Sequence, residues 1–398
     1  MPRYTSRYGG APASFGPGPI STALKAIIAV NVVMFVLDEN GDVVEDAAAS
    51  PPRKGNYADR DYFQAHKAHA HLGLLISKPV VSRLLGAPIV VLSRRIDKPE
   101  PGVHRDISLT RRWMDAMGVD ICVLFPSPML QLGLHPQVET EVALAWAYNR
   151  WLCERILQEE SRIRSMIYLP FNDPDESYKI VKEFAGKKGV CGFMVTSVRH
   201  KPVHHNAYMK IYSMLEEMNL PLGFHAGYNW NEQSMGLMNK FISVHAIGFV
   251  FHNMVHLTNW VLNGLGERFP KLKVIWIESG LAWLPFMIQR LDNEYLMRSS
   301  ECPSLKKLPG EYITDMYYTS QPMEIPRDMS LLESTFKCIK ADSQLLYSSD
   351  YPHWDFDLPS TIYDLPFLKE KAKRDILGGN AMKVFNLDLG GNKLAKVA

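Results

Sequence analysis

Residues 344–353 read Gln-Leu-Leu-Tyr-Ser-Ser-Asp-Tyr-Pro-His, and this stretch decides the expected fold. Apolar and small residues lead to Asp350, and a proline follows two positions later. This pattern is typical of a buried parallel strand that ends with a charged side chain at the carboxyl edge of its sheet. An earlier stretch, residues 220–225, ends in His225 in the same way. We therefore expect an imidazole and a carboxylate at the carboxyl edge of a parallel sheet. In α/β barrels this edge holds the active site.

Apolar stretches and helical stretches alternate regularly through the last 300 residues. Such alternation predicts a parallel sheet with helices packed outside it. Seven strands are predicted, one fewer than a closed (β/α)₈ barrel contains. These strands lie at residues 120–125, 164–169, 192–196, 221–225, 272–278, 316–319 and 344–349. The helices between them are predicted at residues 137–159, 175–184, 207–218 and 244–263.

The first hundred residues follow a different pattern. Residues 1–20 are rich in Gly, Pro, Ser and Arg, which predicts a disordered linker. A small α/β segment is predicted from residue 21 to residue 98, and it begins with a hairpin around Asn40-Gly41. Its other expected elements are a helix near residues 61–66 and strands at 73–76 and 88–93. The barrel is expected to span residues 104–390, with a tail at 391–398.

Composition limits the classes of function. The 398 residues are 46% hydrophobic and 22% charged, which is typical of a globular protein with a large core. A formal net charge of +2 does not favour a nucleic acid or an anionic membrane as a partner. The five scattered cysteines lack Cys-x-x-Cys spacing, and no signal-peptide pattern is recognised, so we expect reduced thiols and a cytoplasmic location.

Three side chains at predicted strand ends could carry chemistry. His225 and Asp350 are predicted to bind a divalent metal, because neutral imidazole and carboxylate groups from separate strands suit such a site. Asp350 is also expected to accept a proton from metal-bound water. The alternatives are a hydrogen-bonded core histidine for His225 and a helix N-cap for Asp350. Glu278 follows four apolar residues, so burial should raise its pKa; it is predicted to be an acid or base, a metal-bridging group or a structural partner for an arginine.

Three further residues are expected to line the pocket. His353, just beyond Asp350, should lie at the pocket's edge and take part in catalysis. His256 shares a predicted helix with two other histidines; it is expected either to contact the substrate or to pack, because the Glu of an HExxH zinc motif is absent. Arg199 is expected to hold a substrate carboxylate. His69-Ala-His71 could place two imidazoles on one face of a strand, but a solvated turn is favoured there.

Taken together, these stretches resemble the amidohydrolase-related superfamily, in the branch of aminocarboxymuconate semialdehyde decarboxylase and the resorcylate-type decarboxylases. The matching stretches are residues 113–120, 224–226, 264–274, 278–285, 347–352 and 376–385. The resemblance covers about residues 104–387. It implies a distorted (β/α)₈ barrel with a divalent metal, often zinc, and the hydrolysis or non-oxidative decarboxylation of small carboxylated, often aromatic, compounds. By this resemblance His225 matches the fifth-strand metal ligand and Asp350 the eighth-strand carboxylate, and a homodimer is possible because related barrels often dimerise.

Two features depart from that family pattern. Glu278 stands at the sixth strand, where the decarboxylases commonly have a catalytic histidine. The family's first strand ends in a His-x-His or Asp-x-His pair, and no such strand precedes Trp113. Residues 24–97 instead resemble a Cache/PAS-like sensor domain, through stretches at 35–41, 59–66 and 73–96.

The leading expectation is therefore a metal-dependent enzyme of this superfamily that acts on a small carboxylated compound. The alternative is a catalytically impaired, sensor-like fusion protein that binds a small molecule without a working metal site. In that case Arg60, Tyr62 and Arg83 of the N-terminal segment would contact an anionic ligand.

Overall fold

The computed structural model describes residues 102–199, 201–229, 231–353 and 355–387, and short stretches before them. These stretches are residues 35–37, 43–46, 54, 56–68, 75–76, 80–81, 88–89, 92–93 and 100. The chain divides into two compact units, residues 1–99 and 100–398.

The described part of the first unit contains short antiparallel strand pairs and one helix. Strands β1 (Phe35–Leu37) and β2 (Val43–Asp46) pair antiparallel, which confirms the predicted hairpin. The predicted helix is α1 (Asp61–Ala68). The remaining strands are β3 (Leu75–Ile76), which pairs with β6 (Leu92–Ser93), and β4 (Val80–Val81), which pairs with β5 (Pro88–Ile89). His69 and His71, residues 1–20 and the tail at 391–398 lie outside the described residues.

A seven-stranded parallel sheet forms the centre of the second unit. Its strands are β7 (Cys122–Leu124), β8 (Ile163–Tyr168), β9 (Val190–Thr196), β10 (Leu222–His225), β11 (Val274–Ile277), β12 (Tyr317–Thr319) and β13 (Leu345–Leu346). Each strand pairs in parallel with its neighbours in chain order, so that β7 and β13 are the edge strands among the described residues. All seven predicted strands are confirmed.

Helices follow the strands and cover the sheet. The first half contains α2 (Arg105–Met117), α3 (Val138–Leu152), α4 (Pro174–Phe184), α5 (Met209–Glu217) and α6 (Phe241–Leu262). The second half contains α7 (Leu265–Arg268), α8 (Trp283–Arg298), α9 (Pro309–Ile313), α10 (Met329–Cys338), α11 (Ala341–Gln344), α12 (Ser360–Tyr363), α13 (Glu370–Arg374) and α14 (Asn380–Val384). Strands β10 and β11 are wholly buried, as expected where helices and the sheet's inner side cover both faces.

Local sequence explains where α4 begins. The Asp173 side chain accepts hydrogen bonds from the backbone N–H groups of Asp175 and Glu176, at 3.1 and 3.0 Å. Pro174 occupies the first helical position, where its missing N–H costs nothing. The pair Asp173-Pro174 therefore supplies both the N-cap and the first-turn proline of α4.

Helix α6 is unusually apolar. It is long and apolar enough to cross a membrane by length and composition alone, a test that the core helices of soluble proteins also pass. Leu257, Trp260 and Val261 of α6 are buried in the core against the sheet. The same helix carries Asn253 and His256, both buried, so it brings polar side chains to the strand ends.

The C-terminal segment covers the outer edge of β13. The backbone N–H of Tyr347 donates to the Ile376 carbonyl at 2.9 Å, and the Asn380 side-chain amide donates to the Leu345 carbonyl at 2.9 Å. An uncovered edge strand would leave these groups free to pair with another chain. The outer edge of β13 is therefore partly hydrogen-bonded within this unit.

Candidate metal centre at the carboxyl edge of the sheet

Four side chains gather where β10, β11 and β13 end. His225 is the last residue of β10, and Glu278 directly follows β11. His225 Nε2 lies 3.2 Å from Glu278 Oε2, and His353 Nδ1 lies 2.7 Å from Asp350 Oδ1. Glu278, Asp350 and His353 each offer a ligand atom, and these atoms all lie within 4.8 Å of one another. His225 does not belong to that set of three, but its Nε2 lies next to the Glu278 carboxyl group.

His225 is held as a neutral imidazole with one nitrogen free for a partner. Its side chain is buried, and Nδ1 lies 2.9 Å from the Ala226 carbonyl, which can only accept. Nδ1 therefore carries the proton, and the lone pair of Nε2 faces Glu278. Burial lowers the pKa of His225 to about 4; the nearby His353 also lowers it, and the bond to Ala226 opposes the shift.

Glu278 is protonated at neutral pH when no cation is near. Burial raises its pKa to about 9, and the charges of Asp350 and Asp355 act in the same direction. A protonated Glu278 can donate a hydrogen bond to His225 Nε2, which agrees with their separation of 3.2 Å. The direction of this pKa shift agrees with the one predicted for a carboxyl group at the end of an apolar strand.

Asp350 is a half-buried carboxylate whose close polar partner is the imidazole of His353. Burial raises its pKa, the adjacent His353 opposes that shift, and Asp355 and Asp357 add to it. Within residues 102–387, so far as they are described, neither Asp350 nor Glu278 forms an ion pair with a lysine or arginine. Two facing carboxyl groups in such surroundings suit a bound cation.

Both carboxyl groups sit on left-handed backbone. Glu278 has φ 57° and Asp350 has φ 58°, a region that L-residues other than glycine rarely adopt. Such a conformation costs about 1–3 kcal/mol and persists only where the surroundings fix it. Strained residues of this kind cluster at functional sites; here Glu278 directly follows β11, and Asp350 lies four residues after the end of β13.

Arg199 lies on the other side of the sheet from His225. Phe224 and His225 are successive residues of β10, so their side chains point to opposite faces. The Arg199 guanidinium lies over the rings of Phe224 and Phe171, at 5.8 and 4.8 Å from their centroids, and the residue is only 8% exposed. The expectation that Arg199 contacts a substrate at the strand ends does not match this placement, because aromatic rings draw the cation toward the helix layer.

His256 is likewise buried and does not line an open pocket. Its Nε2–H donates to the Ser197 carbonyl at 2.8 Å. Burial lowers the pKa of His256 to about 3, and the charge of Arg199 adds to that effect. Of the two expectations for this histidine, its placement fits packing and not contact with a substrate.

Sequence reasoning missed three buried polar residues around these positions. Thr319 accepts a hydrogen bond from the backbone N–H of Glu278, and Asn253 donates one to the Ile277 carbonyl. Glu141 of α3 is 1% exposed and accepts a hydrogen bond from the Tyr168 hydroxyl at 2.7 Å. No spacing or motif marks these residues, because each partner comes from a distant part of the chain.

Replacing Glu141 with Gln is expected to make the protein's stability less dependent on pH. Burial raises the pKa of Glu141 to about 7, against opposing effects of Tyr168, Asn172 and Arg199. The folded protein thus binds this proton more tightly than the unfolded chain, and stability falls as pH rises from about 4.5 to about 7. Relative to Glu141→Gln, the wild type should lose roughly 3 kcal/mol over that range.

Urea unfolding at pH 5 and pH 8 measures this difference. Glu139→Gln, an exposed glutamate in the first turn of the same helix, is the matched control and should leave the pH dependence unchanged. A constant difference in stability between Glu141→Gln and wild type at the two pH values would show that Glu141 titrates normally.

Comparison with known proteins identifies the family. The sequence profile described as amidohydrolase matches residues 127–387. A gamma-resorcylate decarboxylase of Polaromonas sp. is 21% identical over an alignment of 299 residues, and the match covers 70% of this chain and 86% of the relative. A 2-amino-3-carboxymuconate-6-semialdehyde decarboxylase of Dictyostelium discoideum is 22% identical over 274 residues, covering 68% and 74% of the two chains.

A solved structure shares the fold. The crystal structure of a dihydroxybenzoic acid decarboxylase from Polaromonas sp., with bound manganese and the inhibitor 2-nitroresorcinol, superposes with a TM-score of 0.59. The two chains are 19% identical, and the match covers 71% of this chain and 88% of the other. The expected barrel-like fold of metal-dependent hydrolases is confirmed, in the form of a seven-stranded parallel sheet with helices.

The comparisons also bear on the other expectations. The prediction that the protein is an enzyme related to hydrolases and carboxy-lyases is confirmed at the level of the family. The resemblance of residues 24–97 to a Cache/PAS-like sensor domain receives no support, and most of these residues lie outside the described part of the chain. From the profile match over most of the second unit, the chain belongs to the amidohydrolase family.

Proposed function

We propose that this protein is a divalent-metal-dependent carboxy-lyase that removes a carboxyl group from a small hydroxylated aromatic acid. The observation that carries the proposal is the approach of His225, Glu278, Asp350 and His353 at the carboxyl edge of the sheet. Decarboxylation is favoured over hydrolysis because the two relatives described above act as decarboxylases by name.

The donor atoms suit a divalent cation. Imidazole nitrogen together with carboxylate oxygen binds zinc and manganese. The raised pKa of Glu278 has a direct physical cause, its burial close to the charges of Asp350 and Asp355, and a cation would relieve it. Zinc is the metal expected from the sequence resemblance, whereas the solved relative carries manganese, so both ions should be tested.

In the proposed site His225, Glu278 and Asp350 would hold the metal. When bound, a divalent ion polarises a substrate oxygen and stabilises the negative charge that develops on the substrate. His225 would bind through Nε2, because Nδ1 is already committed to the Ala226 carbonyl. Glu278 would give up its proton on binding and would then face the ion as a carboxylate.

His353 is the proposed route for protons. Its side chain is 46% exposed and hydrogen-bonded to Asp350, so it can exchange protons with solvent. During the reaction the bond between the ring carbon and the carboxyl group breaks, the electron pair stays on the ring carbon, and carbon dioxide leaves. The His353–Asp350 pair supplies the proton that forms the new C–H bond, and His353 regains a proton from solvent.

The full-length chain loaded with Mn²⁺ or Zn²⁺ should therefore release carbon dioxide from 2,6-dihydroxybenzoate or 5-carboxyvanillate. Liquid chromatography of the aromatic product and dissolved carbon dioxide both measure turnover. We expect the activity to disappear on chelation and in His225→Ala. The exposed His205 at the 3₁₀ segment Asn206–Tyr208 provides a control, since His205→Asn keeps a capping side chain and should retain activity.

Two outcomes would contradict the proposal in different ways. A protein that binds neither ion has no working metal centre. A metal-loaded protein that leaves these aromatic acids intact but hydrolyses esters or amides is a hydrolase and not a carboxy-lyase.

A further inference from the structure

We infer that Thr319 and Asn253 are positioning residues: together they fix the Ile277–Glu278 peptide, so that Glu278 keeps the left-handed backbone that brings its carboxyl group to His225. This inference rests on the proposed function, because it takes Glu278 as a residue that holds the metal. It concerns side chains that form hydrogen bonds with the backbone of the candidate centre.

Thr319 fixes the N–H side of the peptide. The backbone N–H of Glu278 donates to Thr319 Oγ1 at 2.9 Å. Thr319 is the last residue of β12, the strand that pairs with β11, and it is 3% exposed. A valine has nearly the same shape but offers no acceptor, so it would leave this buried N–H without a partner.

Asn253 fixes the carbonyl side of the same peptide. Its Nδ2 donates to the Ile277 carbonyl at 3.4 Å, and the backbone N–H of Ala226 donates to that carbonyl at 2.9 Å. Asn253 Oδ1 accepts a hydrogen bond from the Ser197 hydroxyl. Asn253 is fully buried, and its amide has both a donor and an acceptor, so it can link the ends of β9 and β11.

Because a peptide unit is planar, bonds at its carbonyl and at its N–H together fix its orientation. The φ of Glu278 describes the rotation that follows this peptide, and its value of 57° is unfavourable for a residue with a side chain. With the peptide free to turn, Glu278 would relax toward ordinary backbone angles and its carboxyl group would leave His225. The surrounding bonds are what hold the strained conformation.

A neighbouring hydrogen bond also positions His225. The backbone N–H of Ser197 donates to the His225 carbonyl at 2.8 Å, so Ser197 joins β10 as well as Asn253. The ends of three neighbouring strands are thus tied to helix α6. The separation of 3.2 Å between His225 Nε2 and Glu278 Oε2 follows from this arrangement.

Mn²⁺ binding to the full-length protein tests the inference. Thr319→Val should weaken Mn²⁺ affinity by about 10- to 100-fold, as the loss of an outer hydrogen bond does in other metal sites. Thr319→Ser keeps the hydroxyl and should bind within about threefold of wild type. Asn253→Ala should weaken binding in the same direction, which provides a second test should Thr319→Val fail to fold. Chelator competition at constant pH measures each dissociation constant.

Ser177→Ala is the control for a general loss of stability. The Ser177 hydroxyl, fully buried, donates to the Pro170 carbonyl at 2.8 Å, so its removal costs a comparable buried hydrogen bond. Its melting temperature should fall, but its Mn²⁺ affinity should stay at the wild-type value. Equal affinity in wild type, Thr319→Val and Asn253→Ala, with binding lost in His225→Ala, would overturn this inference alone. A wild-type protein that does not bind Mn²⁺ would overturn the proposed function and this inference with it.

Discussion

Replacing Asp350 with Asn should lower turnover by about 10³-fold or more and also weaken metal binding. Asparagine has nearly the same shape and tolerates left-handed backbone, so the φ of 58° at this position should survive. The change removes the negative charge from the proposed metal site and replaces the carboxylate oxygen that lies 2.7 Å from His353 Nδ1 with a neutral amide oxygen. Steady-state kinetics with the active substrate, at saturating and at limiting metal, measure the two effects separately.

Asp357→Asn is the matched control for this variant. Asp357 lies in the same loop, and its Oδ2 accepts a hydrogen bond from the backbone N–H of Met323 at 3.0 Å. It is not among the residues whose ligand atoms meet at the cluster. We expect a loss of less than about tenfold in Asp357→Asn. Comparable losses in both variants would mean that the loop's integrity, and not the Asp350 carboxylate, sustains activity.

The sheet is predictable from the sequence because its signals are local. An apolar run of four to eight residues bounded by Gly, Pro or Asn carries its own strand signal, and all seven predicted strands are present. The parallel arrangement then places the end of β10 and the segments that follow β11 and β13 at one edge. For this reason the sequence alone singles out His225, Glu278 and Asp350.

The direction in which a loop side chain points depends on residues that are distant in the sequence. The sequence pattern places Arg199 at the strand ends, but rings contributed by Phe171, Tyr208 and Phe224 draw its guanidinium under the helices. These aromatic residues are separated from Arg199 by as many as 28 positions along the chain. His256 is a similar case, since the carbonyl that holds it belongs to Ser197.

The left-handed backbone conformation of Glu278 could not be predicted from the sequence either. Nothing in the stretch Ile277-Glu278-Ser279 indicates a positive φ, because the strain is held by Thr319 and Asn253 from other elements. No first-strand pair of metal ligands is recognised in the sequence, and the described candidate centre does not include such a pair. His225 ends β10, and Glu278, Asp350 and His353 follow β11 and β13, so the described residues bring these four side chains near one another without a first strand.

Metal affinity should rise about tenfold for each pH unit between pH 6 and about pH 9. Burial and neighbouring carboxylates raise the pKa of Glu278 to about 9, so the metal-free protein carries a proton there that must leave when the metal binds. Below pH 9 that proton competes with the metal, and above pH 9 the dependence should level off. His225 adds little to the slope, because its pKa is lowered to about 4 and its Nε2 is already free of a proton.

Dissociation constants for Mn²⁺ at pH 6, 7 and 8 should therefore span about 100-fold in the wild type. In Glu278→Gln the affinity should be lower at pH 8 and nearly independent of pH, since the amide has no proton to release. Calorimetry in two buffers with different ionisation enthalpies gives a second measure, because one proton should be released per metal bound near pH 7. A wild-type affinity that stays constant from pH 6 to pH 8 would place the Glu278 carboxyl group outside the metal's coordination, and a role as an acid or base would then be favoured for it.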